Sequence, residues 1–261
     1  MMDSILTKTA THQLHAWTFA VGLGCLVTVL VLGLQKETSQ SKRKVYACLA
    51  IGLVGAVLGA ALLPLLLRLP AALAQRSLSP LLVADRMALG GLVGFTVAAV
   101  FAARSLHLDV DRVLEQLAPS LGILVIFGRV GCFLEGCDFG SPTAAFWAVH
   151  YPPASHAFNH QIQSGLLPIS AHQSLGVHPV QLVEAGIGIV MWIVAKQRLP
   201  NAFWTSLCVY SIGRFFAEFL RGDPRAFWGP FCLAQWLSIA LFFYCAASLD
   251  PNQAVRKWRR S

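Results

Sequence analysis

The sequence predicts an all-α polytopic membrane protein of about seven transmembrane helices, with an external arm inserted between the fourth and fifth. Three observations predict it. Of 261 residues, 56% are hydrophobic and only 12% charged, against about 25% charged in ordinary soluble domains. Apolar runs of roughly 18 residues recur along the chain, long enough to cross a hydrocarbon core of about 30 Å. One segment, 141–179, replaces such runs with Pro142, Pro152, Pro153 and Pro168 and with His150, His156, His160, His172 and His178.

The expected spans are 16–34, 46–67, 83–103, 117–134, 180–195, 202–219 and 231–248. The first has no basic stretch directly before it and no clear small-residue cleavage site, so it reads as a retained helix rather than a cleaved signal. With the N-terminus outside, twelve basic residues fall on inner segments: Lys36, Lys42, Arg43, Lys44, Arg104, Arg112, Lys196, Arg198, Arg256, Lys257, Arg259 and Arg260. Six fall on outer ones: Lys8, Arg68, Arg76, Arg86, Arg221 and Arg225. The positive-inside bias therefore favours an outer N-terminus and a cytoplasmic C-terminus. The tail Arg256-Lys257-Trp258-Arg259-Arg260 reads as a topology anchor drawn to anionic lipid.

The 261 residues form a single transmembrane domain in this reading, with 141–179 as an arm within it. That arm is too long for an ordinary loop, and its aromatic and apolar content predicts a folded segment over the membrane face. Cys25, Cys48, Cys208, Cys232 and Cys245 sit in apolar runs as small packed side chains. The cysteine spacing predicts no metal site, and nothing in the motifs requires a cofactor or nucleic acid.

Ionisable residues inside spans are costly and mark functional sites. The first cluster runs from Gly128-Arg129-Val130-Gly131-Cys132-Phe133-Leu134-Glu135-Gly136-Cys137-Asp138 to Gly140. Arginine offers a planar fork of donors suited to phosphate oxygens, and the glycines let backbone approach a ligand. The plainer reading is small-residue helix packing, with Arg129 paired to Glu135 or Asp138. The second cluster sets Arg214, Glu218 and Arg221 at i, i+4 and i+7, one face of a continuous helix. Two arginines against one carboxylate leave a surplus positive charge that an anionic ligand would balance; the plainer reading is a buried ion pair. In the third, His178-Pro179-Val180-Gln181-Leu182-Val183-Glu184, Gln181 and Glu184 share a helical face; a simple helix start accounts for the proline equally well. Gly90, Gly91 and Gly94 have the spacing of a close helix crossing.

Taken in order, these clusters resemble the prolipoprotein diacylglyceryl transferase family. Gly128-Arg129-Val130-Gly131-Cys132-Phe133-Leu134-Glu135-Gly136, with Gly140 four residues on, is similar to its Gly-Arg-x-Gly-Asn-Phe-x-Asn-Gly signature. His178-Pro179 through Glu184 resembles its His-Pro-x-Gln-Leu-Tyr-Glu motif. Gly213-Arg214-Phe215-x-x-Glu218-Phe219-x-Arg221 and Ala234-Gln235-Trp236-Leu237-Ser238 resemble its last two motifs. Leu89-Gly90-Gly91-Leu92 falls where the family has His-Gly-Gly-Leu, and His15-Ala16-Trp17 where it has His-x-Tyr.

The resemblance implies transfer of diacylglyceryl from phosphatidylglycerol to the lipobox cysteine of a prolipoprotein signal peptide, in the bacterial cytoplasmic membrane. It makes Arg129 and Arg214 catalytic. It places Gly128, Gly131, Glu135, Gly136, Asp138, Gly140, Gln181, Glu184, Glu218, Arg221, Gly90 and Gly91 around the substrate, with Glu218 holding Arg214. The family histidine that activates the thiol is Leu89 here, and Cys132 and Glu135 replace signature asparagines. His178 is then the first candidate base, with Asp138 and Glu135 behind it; a structural hydrogen bond fixing the arm is its alternative role. A divergent paralogue that binds phospholipid but uses another acceptor, or none, is the alternative function.

Overall fold

A computed structural model describes residues 2–35, 41–76, 87–197, 201–223, 225 and 227–249 of the chain. Lys36, the Asp85–Arg86 pair, Arg198 and the basic tail at 256–260 lie outside the described residues, as do the side chains of Lys8 and His15.

The described chain is mostly helical. Its helices are α1 (Met2–Gly33), α2 (Lys42–Gln75), α3 (Ala88–Ser105), α4 (Val110–Glu135), α5 (His156–Gln163), α6 (Val180–Lys196), α7 (Ala202–Ala217) and α8 (Leu233–Ser248). A 3₁₀ turn, Glu218–Leu220, follows α7, and a small antiparallel hairpin pairs β1 (Phe227–Trp228) with β2 (Phe231–Cys232). Among the described residues, four helical stretches are long and apolar enough to cross a membrane: Ala16–Gly33, Lys42–Ala74, Ala88–Ser105 and Val110–Glu135. The helices α6, α7 and α8 hold 17, 16 and 16 residues, which at 1.5 Å per residue is roughly 24–26 Å. Outward faces are apolar: Val57 is 71% exposed, Val97 64% and Phe101 68%. Continuous apolar surface of this kind is unfavourable in water and natural against lipid tails.

The chain divides into two compact units. One comprises Leu32–Ala118; the other comprises Met1–Val31 with Pro119–Ser261. In the first, α2 and α3 cross with backbones nearly touching. A Cβ on Gly94 would lie 2.9 Å from the Gly59 Cα, and one on Gly90 would lie 2.8 Å from the Leu63 Cβ. Without a hydrophobic drive between helices in lipid, such small-residue contacts hold the pair together.

In the second unit, α4 packs on α6 through Gly122 and Gly188: a Cβ at Gly122 would sit 2.6 Å from the Trp192 nitrogen. Gly131 of α4 lies against Trp17 and Ala20 of α1, and Gly213 of α7 against Ile187 of α6. The segment 141–179 is folded, as its composition predicts. Ser155 caps α5 by accepting from the Phe158 nitrogen at 3.2 Å. Val177 bridges to both Pro142 and Val149, and Phe139, Tyr151, Ala157 and Val177 form a small core. Burial pushes the Tyr151 phenol up to about 12, so it stays neutral.

Candidate active site

The site begins where α4 ends. Gly136 adopts φ +68°; its nitrogen donates to Phe133 O at 3.3 Å, and the Cys137 nitrogen donates to Cys132 O at 3.1 Å. These two bonds define a Schellman cap, which needs a left-handed residue in the position Gly136 occupies. The cap turns the chain, and Asp138 follows with φ +56°. Gln181, fully buried near the start of α6, donates from Nε2 to Cys137 O at 2.6 Å and pins the turn.

Gly140 then threads between two other segments. Its nitrogen donates to His178 O at 3.1 Å, and it bridges antiparallel to Arg221. Ser141 N donates to Leu220 O at 2.8 Å, and Gly222 N to Phe139 O at 3.0 Å. A Cβ on Gly140 would strike His178 backbone and lie 2.8 Å from Val180 Cγ2, so only glycine fits. This crossing brings the three polar motifs of the sequence into one place.

Charge is concentrated there. Glu184, 1% exposed, has Oε2 2.9 Å from Arg129 Nε and Oε1 2.8 Å from Arg214 Nη1. Arg129 Nη1 donates to Asp138 Oδ2 at 2.6 Å. Arg221 Nη2 donates to Asp138 Oδ1 at 2.5 Å, and Arg221 Nε donates to Asp223 Oδ1 at 2.7 Å. Arg214 Nη1 lies 2.5 Å from Glu218 Oε2, while Arg225 reaches Glu218 at 3.2 Å and Asp223 at 2.6 Å. Arg129, Arg214 and Arg221 are 5%, 8% and 9% exposed. Partial burial favours a neutral Asp138, but Arg221 and Arg129 outweigh it and hold its carboxyl well below the usual carboxylate range. Arginine is a fitting cation here because its planar fork serves two carboxylates at once.

The sequence-based expectation of surplus positive charge is corrected by this network. Among the described residues, Arg129, Arg214, Arg221 and Arg225 meet Asp138, Glu184, Glu218 and Asp223, four against four. The extra carboxylates come from elsewhere in the chain, which a helical stripe cannot reveal. The stripe itself is also shorter than expected. Arg214 and Glu218 pair at i, i+4, but the helix ends at Ala217, and Arg221 is extended with φ −75° and ψ 143°.

The remaining candidates are placed as follows. Glu135 Oε1 accepts from the Trp17 nitrogen at 3.0 Å rather than pairing with Arg129. Gly128 has open space where a side chain would stand. His178 Nδ1 accepts from Trp147 Nε1 at 3.1 Å. Gly90 and Gly91 lie in α3 against α2, in the Leu32–Ala118 unit, and Leu89 is buried there. Three partners went without a role in the sequence reading: Asp223 and Arg225, and Tyr210, whose buried hydroxyl lies against Arg129. The alternating charges of Arg221-Gly222-Asp223-Pro224-Arg225 were the available signal.

Fold and site together define a helical membrane protein with a buried arginine–carboxylate network where its polar motifs converge. The family model for prolipoprotein diacylglyceryl transferase matches residues 4–249, and the chain belongs to that family. The phosphatidylglycerol–prolipoprotein diacylglyceryl transferase of Clostridium tetani is 24% identical over 245 residues, covering 91% of this chain and 93% of the relative. A second such transferase, from Clostridium perfringens, is 23% identical and covers 91% of each. The one from Polynucleobacter asymbioticus is 32% identical over 169 residues, 62% of this chain and 59% of the relative.

Removing Glu184 takes one of two carboxylate partners from each of two buried guanidinium groups, Arg129 and Arg214. Breaking a buried pair of this kind costs about 3–5 kcal/mol, so Glu184→Ala should unfold at clearly lower denaturant in detergent. Glu184→Gln keeps the acceptor oxygen and should lose less. Equal stability of all three proteins would show that the network does not hold the fold.

Proposed function

We propose that the chain transfers diacylglyceryl from phosphatidylglycerol to the lipobox cysteine of a prolipoprotein signal peptide. The thiol sulfur bonds to the glyceryl carbon, the carbon–oxygen bond to phosphate breaks, glycerol phosphate leaves, and the thiol proton is lost to solvent or a base. The observation that carries the reading is that Glu184 holds Arg129 and Arg214 together, inside a chain that matches the family over residues 4–249.

The leaving phosphate gains a negative charge as the bond breaks. Fixed guanidinium groups in a low-dielectric pocket stabilise that change more than they stabilise the intact diester. Both ion pairs of Arg214 among the described residues run through Nη1, which leaves Nε and Nη2 to face a phosphate oxygen. Asp138 is half-buried and stands on a turn, so it is the carboxylate that a phosphate replaces on Arg129. Glu184 stays in place. Gly128, with open space beside it, supplies backbone close to the headgroup, Gly131, Gly136 and Gly140 fix the turn by close packing, and Gln181 keeps the Cys137 turn in register.

His178 serves first as an anchor of the arm. Its Nδ1 accepts from Trp147 Nε1 at 3.1 Å, a bond that ties the arm to the start of α6. With Leu89 in the family's histidine position, the thiol ionises largely on its own. A free cysteine pKa of about 8.5 leaves a few per cent thiolate near neutral pH. A paralogue acting on another acceptor would use the same arginines, and the choice of acceptor in the assay separates the two readings.

The protein sits in the bacterial cytoplasmic membrane as one transmembrane domain. Helices α1–α4 and α6–α8 make seven spans, 141–179 forms the external arm, and the C-terminus is cytoplasmic. The excess of basic residues on the inner segments supports this orientation.

Arg129→Ala and Arg214→Ala should each reduce lipid transfer at least a hundredfold in vitro, with Lys restoring only part because it lacks the bidentate fork. Transfer within threefold of the parent by either alanine variant would remove the arginines from the chemistry. A cysteine introduced at His160 should react with an impermeant maleimide in intact cells, and one at Gln40 only after permeabilisation; the opposite pattern would invert the topology.

A further inference from the structure

The Schellman cap that ends α4 has a consequence for two side chains the reaction does not use. In this motif the residues at its two ends, six apart by inclusive count, bring their side chains together, usually as an apolar pair. Here those residues are Cys132 and Cys137. The Cys137 nitrogen donates to Cys132 O at 3.1 Å, and Cys137 Sγ lies 3.6 Å from the same oxygen. Standard backbone dimensions then keep the two Cα atoms within about 7 Å, the reach of a disulfide. The Cys137 thiol donates to that carbonyl, and its closeness to the Cys132 side chain together with burial pushes it up. Cys132 and Cys137 are partly accessible, whereas Cys48, Cys208, Cys232 and Cys245 are buried.

We infer that Cys132 and Cys137 are a reversible dithiol–disulfide site that closes on reaction with an organic disulfide. Cys132 attacks the reagent first as thiolate, because the Cys137 thiol is tied to a carbonyl oxygen. One thiol of the reagent leaves, and a mixed disulfide forms on Cys132. Cys137 then attacks the Cys132 sulfur, its proton passing to the second departing thiol. The pair loses two electrons and two protons, and the reagent is reduced to two thiols.

The bond would clamp the turn that presents Asp138. Both Arg129 and Arg221 hold that carboxylate, and Gln181 holds the Cys137 carbonyl behind it. A clamped turn keeps Asp138 on Arg129 and opposes the entry of a phosphate. That last consequence rests on the proposed function; the disulfide itself does not.

The test uses the full chain in detergent, treated with oxidised glutathione and then alkylated. Trypsin cleavage after Arg129 yields a peptide starting at Val130 that contains both cysteines. The expected result is loss of both alkylation sites and of two hydrogens from that peptide, restored by dithiothreitol. Cys137→Ser should instead trap glutathione on Cys132. Amide exchange at 136–138 should slow at least threefold in the oxidised chain. Undiminished alkylation of both residues, or glutathione on each with no internal bond, would overturn the disulfide; unchanged exchange would overturn the clamp. In a transfer assay the oxidised chain should be at least fivefold slower. Equal rates would overturn the effect on the site, while inactivity in both states would count against the functional reading and leave the mass result to decide the pair.

Discussion

The site depends on one carboxylate. Glu184 is almost wholly buried on α6 and gives one oxygen to Arg129 of α4 and the other to Arg214 of α7. A buried guanidinium that loses a carboxylate partner is costlier than one fully paired, and Glu184 holds both arginines where Asp138 and Glu218 each hold only one of the two. The shared carboxylate thereby joins two residues 85 positions apart in the chain, 214 less 129, into one buried network. Asp138 and Glu218 complete the neutralisation on either side.

Glycine makes that convergence possible. Gly140 passes so close to His178 that no side chain fits, and Gly222 is pressed against Gly140 in the same way, with a Cβ position 2.8 Å from Ser141 Cα. These approaches hold the signature turn, the start of α6 and the end of α7 within hydrogen-bond reach of each other. The polar residues therefore sit on a backbone framework set by van der Waals limits, and their ion pairs need little further ordering. Preorganisation of this kind is what electrostatic stabilisation of a developing charge requires.

Much of this was legible in the sequence. Apolar runs gave the helices, because lipid-facing segments need no polar alternation, and the small-residue pattern at Gly90 and Gly94 gave a close crossing. The three polar clusters were legible as candidates, because charge inside a span is costly. Their wiring was not. Asp138 and Arg221 are 83 residues apart, and no local period encodes such a pair. The helical stripe through Arg221 failed because the chain passes into a 3₁₀ turn after Ala217 to let Gly222 meet Phe139. Arg129 was read as a partner of Glu135 or Asp138, and the cap at Gly136 decides for Asp138 by turning that residue back along the helix end. His178 is a candidate base from its residue type, and its contact with Trp147, at 3.1 Å from Nδ1, is one that residue type alone does not reveal.

The family histidine is absent at Leu89, yet the arginine network is complete, and in the proposed mechanism that network suffices for transfer. The direct measurement is a mass balance on purified chain, phosphatidylglycerol and a lipobox peptide, followed across pH. The account predicts one glycerol phosphate released per thioether formed, with a rate that climbs toward the thiol pKa of about 8.5. No thioether at any pH, or glycerol phosphate released without it, would contradict the account.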